Sequence, residues 1–355
     1  MALHFQATDF AFDARMLDAP RRPGISAIMR IRNGEDFLRL AIESHLPHYD
    51  EIIACYNDCS DATEAILDEL AARYPGRVRP LHYRPRVHPP LSAEHDATPD
   101  GSVHGLANYY NWALAQARYS VAVKLDDDHL AIQGALTQAV ALIRADIARG
   151  VRGLYTFSGL NLARDPGGQL AVYANDPLVG TGDILYFPVC SDMYWRQAPR
   201  FERLVIAGRR PPKQYLGLLY FHLKHIKPDL GFGNLDPVRR HEVRQRFLRT
   251  LRTQSFEEFA APANVAALRR AHNRLEYWLH DQPLLRAALL RLTGHRPPLR
   301  VARLQRLPGD LAAIDWQRDL HAQLGAVLRW RGGFSQPPLR SRRPVARQLR
   351  PAASS

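Results

Sequence analysis

The chain has 355 residues, more than the usual single-domain size of about 100 to 200, so one large domain with an appendage, or two domains, is expected. Its composition, 46% hydrophobic and 23% charged, is that of a soluble globular protein, and no stretch approaches the ~18 to 20 uninterrupted apolar residues of a membrane helix, which argues against an integral membrane protein. The formal net charge of +13 is unevenly placed: residues 1 to 200 carry 19 Lys and Arg against 24 Asp and Glu (net −5), whereas residues 201 to 355 carry 29 against 11 (net +18). A basic half suits nucleic acid, an anionic membrane surface or phosphorylated substrates, and charge alone does not choose among them.

The N-terminal stretch "MALHFQATDFAFDARMLDAP" lacks a basic start followed by an apolar run, so a cytoplasmic protein is expected. Cys55, Cys59 and Cys190 form no disulfide framework, and the Cys55 to Cys59 spacing has no second ligand pair to make a zinc site; buried thiols are expected.

In chain order, "GISAIMRIRN" reads as a strand, and "GEDFLRLAIESHL" places Phe37, Leu38, Ala41, Ile42 and Leu46 at helical spacing. "DEIIACYND" is a second strand ending in turn chemistry, and "ATEAILDELAARYPG" is a helix stopped by Pro75 and Gly76. "RVRPLHY" is a third strand. A Pro- and His-rich loop leads to the helix "GLANYYNWALAQARY" and the strand "SVAVKLDDDHL". This alternation predicts a parallel, doubly wound α/β sheet. Further on, "GLYTFSGLNLARDPGGQLAVY" gives two strands around a turn at Asp165 to Gly168, and "VGTGDILYFPV" gives another strand. Residues 236 to 330 read as mainly helical. The last 25 residues hold six Arg, four Pro and no acid, the composition of a disordered basic tail.

Ligands of such sheets bind beyond the carboxyl ends of the strands. That rule gathers Arg32 and Asn33, Asp58, and the triplet Asp126, Asp127 and Asp128 on one rim. Three adjacent carboxylates repel one another, and a divalent cation with oxygen ligands is the readiest way to neutralise them.

The order of "ISAIMRIRNGEDFLRLAIESHL", "DEIIACYNDCSDATEAIL", "GLANYYNWALAQA" and "VAVKLDDDHL" resembles the nucleotide-sugar half of a family 2 glycosyltransferase with the GT-A fold. The resemblance covers about residues 24 to 130 and continues more loosely to 235. It implies a Rossmann-like, mostly parallel sheet flanked by helices in a GT-A domain over 1–235, with the nucleotide-sugar part at 24–130 and the acceptor part at 150–235. A helical region at 236–330 and a tail at 331–355 would follow. It also implies that Asp58 recognises the nucleobase, and that the Asp-x-Asp element, Asp126 and Asp128, binds Mn²⁺ or Mg²⁺ and the ribose region. Arg32, Asn33, Asn111 and Lys124 complete the expected donor contacts. The chain departs from the family pattern at Asn57 and Cys59 in the second-strand motif, and at Tyr110, where Arg is often found.

Asp127, on the other face of a continuing strand, is not expected to ligate. The stretch "YFHLKHIKPDLGFGN" brings His222, Lys224, His225 and Lys227 within six residues. An imidazole can complete a metal shell and Lys can contact phosphate, so His222 is a metal candidate and Lys224 a diphosphate candidate. An inverting transfer needs a base for the acceptor hydroxyl, and the resemblance places it after the metal motif. Asp192 is preferred, with Asp183 next and Glu202 third.

The function expected is a metal-dependent, inverting transfer of sugar from a nucleotide-sugar donor to a glycan or lipid-linked acceptor, in bacterial surface polysaccharide or lipopolysaccharide synthesis. The basic C-terminal region would rest peripherally on the anionic inner face of the cell membrane. The alternatives are a nucleotidyltransferase, which would want a glycine-rich phosphate loop absent after the first strand, and a nucleic-acid-binding protein, for which no module is recognised.

Overall fold

The computed structural model describes residues 6–175, 177–179, 185–198, 201–207, 211–261 and 320. Its first half alternates strand and helix: β1 (Arg22–Ile31), α1 (Leu38–His45), β2 (Glu51–Tyr56), α2 (Thr63–Arg73), β3 (Val78–His82), α3 (Ala93–Ala97), α4 (Leu106–Ala115) and β4 (Tyr119–Lys124). These strands lie side by side in the order β3-β2-β1-β4, every pair parallel. Such strands are covered on both faces and therefore read as continuous apolar runs rather than alternating ones. In β1, Ile25 to Met29 are all 1% exposed or less. Ile25, Ala27, Met29 and Ile31 pack with α1, α2 and the later helix at Gln133–Ala148, whereas Ile28 packs with α4 on the opposite face.

The second half continues with β5 (His129–Ala131), α5 (Gln133–Ala148), β6 (Leu154–Arg164), β7 (Leu170–Tyr173), β8 (Leu178–Val179), β9 (Leu185–Pro188), β10 (Met193–Ala198), β11 (Phe201–Ile206) and β12 (Lys213–His222). A short 3-10 turn at Lys224–Ile226, α6 (Pro237–Thr250), β13 (Thr253–Gln254) and α7 (Phe256–Ala260) close the described chain. β9 runs antiparallel between β4 and β6, so the parallel half passes into a mixed half. β12 pairs parallel with β6 and antiparallel with β5. β10 and β11 form a separate hairpin packed on α4. The α/β class expected from the sequence, a sheet with a parallel half flanked by helices, is the observed one.

Three details differ from the expected elements. The strand expected over 120–130 is broken: β4 stops at Lys124, Asp127 and Asp128 form a turn, and β5 resumes in another pairing. The polar triplet cannot be buried in a parallel ladder, so the chain turns out of it. The β10–β11 hairpin and β12 were not anticipated, because their strand character comes from packing against distant partners rather than from local pattern. Of the expected helical region, α6 and α7 are seen. Leu320 joins the apolar cluster that contains Phe259, and the rest of 262–330 and the tail 331–355 lie outside the described residues. Among the described residues no helix is long and apolar enough to cross a membrane.

Candidate active site

The carboxyl ends of β1, β2 and β4 meet at one edge, since β1 pairs Ile31 with Tyr56 and Ile28 with Lys124. β1 and β2 both leave the sheet through left-handed residues, Asn33 (φ 52°) and Asp58 (φ 49°). Asn and Asp tolerate that conformation because their short polar side chains bond locally. The Asn33 side-chain oxygen accepts from the Ser60 N–H at 2.8 Å, locking the two turns together. A cleft opens over this edge, with Arg32, Asn57, Lys124, the Asp triplet, His222 and Lys227 among its lining residues.

Each carboxylate of the triplet faces a different set of basic side chains. Asp126 lies 3.4 Å from the Lys124 ammonium and 3.6 Å from His129 Nε2. Burial opposes its charge, but Lys124 and His129 outweigh that and hold its pKa below the ordinary value. Asp127 lies 3.0 Å from Lys227 Nζ through Oδ2, and the same oxygen lies so near Gly34 that a Cβ there would stand 2.8 Å from it. Burial raises the Asp127 pKa to about 6, against the pull of Lys227. Asp128 faces Lys227 Nζ at 3.1 Å through Oδ2 and His222 Nε2 at 3.4 Å through Oδ1. Burial pushes Asp128 up, yet Lys227 and then His222 bring it well below the usual carboxylate range.

The imidazole of His222 is set by its neighbour. Nδ1 lies 2.6 Å from Asn161 Oδ1 on the adjacent strand β6, and an amide oxygen only accepts, so Nδ1 carries the proton. Nε2 is thereby turned toward Asp128, the arrangement in which an outer partner orients a metal-binding histidine. Asp128, His129 and His222 place ligand atoms within 4.8 Å of one another. His129 is the poorer ligand: it is 2% exposed, stacks on Tyr220 at 3.8 Å, and burial brings its pKa down to about 3. Asp128 and the oriented imidazole offer one oxygen and one nitrogen ligand to a divalent cation, whereas Asp126, paired with Lys124, is not part of this group of ligand atoms. The donor set present thus fits a divalent ion.

Positive side chains surround this corner. Lys124 and Lys224 both line the cleft, and burial, the main cause, lowers the Lys224 pKa. Arg32 lines it too, while forming an ion pair with Asp58 at 2.8 Å. Arg30, from within β1, places its guanidinium over the Tyr110 ring at 4.3 Å and 3.7 Å from Glu202. Burial works against the Arg30 charge, but Tyr110 and Glu202 more than offset it and the pKa is raised.

Several sequence candidates fall elsewhere. Asp58 sits on the rim with an exposed side chain turned to Arg32; Asn57 is the residue that shapes the wall. The Asn57 amide donates to the carbonyls of Tyr83 (2.5 Å) and Pro85 (2.8 Å) and fixes the loop after β3. Asn111 is not available to a donor: it is 4% exposed, donates to the Trp195 carbonyl and accepts from the Trp195 N–H, both at 2.7 Å. It imitates a strand edge and docks β10 on α4.

The preferred base, Asp192, is on the wrong side of the sheet. Because β9 runs antiparallel to β4, the chain leaves β9 at the far edge, where the Val189 N–H donates to the Ser120 carbonyl. Asp192 follows there, exposed, next to Ser191, whose N–H bonds Asp18. The hairpin then returns to the cleft side, where Glu202 pairs with Gln197, five positions or about 17 Å along the strand from Asp192. Glu202 is thus beside the site through Arg30. Asp183 lies outside the described residues.

Arg30, Asn161 and Lys227 stand at the candidate site and were not singled out by the sequence. Arg30 was hidden inside an apolar strand. Lys227 belongs to the His and Lys run, but its reach to Asp127 and Asp128 depends on β12, which was not foreseen.

Residues 6–146 match the family described as beta-1,4-N-acetylgalactosaminyltransferase (CgtA). Among curated proteins none matches. Solved structures similar to this chain include TarS (1–349) of S. aureus, at 11% identity, covering 86% of this chain and 80% of that one, with a TM-score of 0.35. Another is glucosyl-3-phosphoglycerate synthase of Mycobacterium tuberculosis in complex with Mn²⁺, uridine diphosphate and glucosyl-3-phosphoglycerate, at 16% identity. That similarity covers 44% of this chain and 49%, about half, of the synthase, with a TM-score of 0.26.

Replacing Asn111 by Ala leaves a buried N–H and carbonyl of Trp195 unpaired, so urea unfolding should show a loss of about 2 to 4 kcal/mol. Calorimetric nucleoside diphosphate affinity of the folded fraction should stay at the wild-type value, as expected of a residue that docks the hairpin and does not touch donor.

Proposed function

We propose that this protein, a glycosyltransferase of GT-A type by its family match and its parallel nucleotide half, is a metal-dependent inverting enzyme that moves a sugar from a nucleotide donor to a glycan or lipid-linked acceptor. The observation that carries the finer reading is the convergence of Asp128, the oriented Nε2 of His222 and the cations Arg32, Lys124 and Lys224 on one strand rim. Asp128 and His222, with Asp126 beside them, would hold Mn²⁺ or Mg²⁺, which supplies Lewis-acid stabilisation to the departing diphosphate.

This chain's side chains do the remainder. Lys124, Lys224 and Arg32 hold the negative diphosphate, and the wall fixed by Asn57, together with Asn33, receives the nucleoside. The acceptor oxygen attacks the anomeric carbon as the bond to the phosphate oxygen breaks. Glu202 takes the acceptor proton, with Asp183 the second candidate. In support of Glu202 are its position on the cleft side of the hairpin and a side chain held 11% exposed beside Arg30. The name of the matched family specifies a β-1,4 linkage and N-acetylgalactosamine, so a nucleotide-linked N-acetylhexosamine is the first donor to test, and a β product from an α-linked donor is inversion.

The domain division at 235 and 330 belongs to the same proposal, as does a role in bacterial surface polysaccharide or lipopolysaccharide synthesis at the inner face of the cell membrane. α6 begins the basic C-terminal region with Arg239, Arg240, Arg244, Arg246 and Arg249, and each such charge near an anionic bilayer contributes about 1 kcal/mol.

The donor site is tested by a thermal-shift comparison. Nucleotide-linked N-acetylhexosamine with Mn²⁺ should raise the Tm of the wild type but not of Asp128→Ala, because a ligand that binds only the native state stabilises it. An equal rise in both would remove Asp128 from the site. For Glu202→Gln, kcat should fall about 10²- to 10⁴-fold with donor affinity retained, and wild-type turnover would reassign the base. Truncation after Gly332 should weaken sedimentation with anionic vesicles while sparing hydrolysis of soluble donor; undiminished vesicle binding would rule out the tail as an anchor.

A further inference from the structure

Asp128 offers its two oxygens to two different partners. Oδ1 faces His222 Nε2, where a divalent ion would be ligated, and Oδ2 faces the Lys227 ammonium. The same ammonium sits 3.0 Å from Asp127, a carboxylate packed against Gly34, where no Cβ would fit. Lys227 is 8% exposed, so its charge is shared between these two carboxylates with little solvent to screen it. A doubly charged ion arriving at Oδ1 would stand a few ångströms from that ammonium, and repulsion between them in a poorly screened site is large. A flexible four-carbon stem lets the ammonium move, and Asp127 already provides a place for it.

We propose that Lys227 is an internal counter-ion that neutralises Asp128 before metal binds and withdraws to Asp127 when the divalent ion takes Asp128. This rests on the reading of Asp128 and His222 as metal ligands. Asp127 then ligates nothing and instead receives the displaced charge. That accounts for three consecutive carboxylates where an Asp-x-Asp pair would suffice for the ion.

The exchange also reaches the roof of the cleft. Lys227 lies on the segment after β12, which is tied to the site by the Leu223 N–H on the Asp128 carbonyl (2.8 Å) and to the first strand by Asn234 Nδ2 on the Arg32 carbonyl (2.7 Å). Metal loading is thereby coupled to the placement of this segment over the donor.

Mn²⁺ binding to the full chain without donor, measured by electron paramagnetic resonance of the free ion, tests this. Lys227→Gln should bind Mn²⁺ about tenfold tighter than wild type, the size of a coupling between contacting charges. Lys227→Arg, whose guanidinium bridges carboxylates more firmly, should bind it more weakly. Asp127→Asn should also weaken binding, by leaving the ammonium wholly on Asp128, and the double variant with Lys227→Gln should recover at least the wild-type affinity. Unchanged affinity in both Lys227 variants overturns the proposal. So does a double variant as weak as Asp127→Asn, which would make Asp127 a ligand. Wild type that takes up no more Mn²⁺ than Asp128→Ala would instead overturn the metal reading itself.

Discussion

Three carboxylates in a row at the end of a buried strand can coexist only if positive charge is built around them, and much of the site follows from that requirement. Lys124 serves Asp126 from within β4, and Lys227 serves Asp127 and Asp128 from about a hundred residues downstream. The chain must therefore come back, and β12 is how it does so. By pairing parallel with β6 and antiparallel with β5, it delivers His222 opposite His129 and the following turn against the triplet. The balance of charges leaves Asp128 ionised and next to an oriented imidazole, which is the state a cation ligand must have.

The sheet has a second consequence for the chemistry. Its direction reverses at β9, so residues after β9 begin at the edge remote from the cleft and only the end of the hairpin where Gln197 pairs with Glu202 approaches it. This separates Asp192 from Glu202, two carboxylates that look equally suitable in sequence. Asn111 secures the hairpin by satisfying both backbone groups of Trp195, and Arg30 links the hairpin's Glu202 to the end of β1. Tyr110 is covered by the Arg30 guanidinium, so a cation is present there from a different element.

Most of the parallel half of the sheet was legible. Continuous apolar strands, helical spacing at Leu38, Ala41 and Ile42, and turn residues at Asn33 and Asp58 are local signals, and each element they predict is present. The same local logic placed Arg32, Asn33, Asp58 and the triplet on one rim, and the parallel strand order brings Arg32, Asn33 and the triplet into the cleft there. It failed for Asn111, whose residue type suits a ligand as well as it suits a docked strand edge; only the position of β10 decides which. Arg30 was illegible because a charge within an apolar strand gives no sign of the tyrosine and glutamate that receive it.

By itself, then, the sequence determined the α/β alternation, the rim at the strand ends and the Asp triplet, because strand and helix period and turn chemistry act over a few residues. Tertiary structure decided which carboxylates share the cleft, that His222 presents Nε2, and that Lys227 neutralises Asp127 and Asp128. Those facts depend on strand direction and on contacts between residues far apart in the chain, and no local pattern encodes the distance between them.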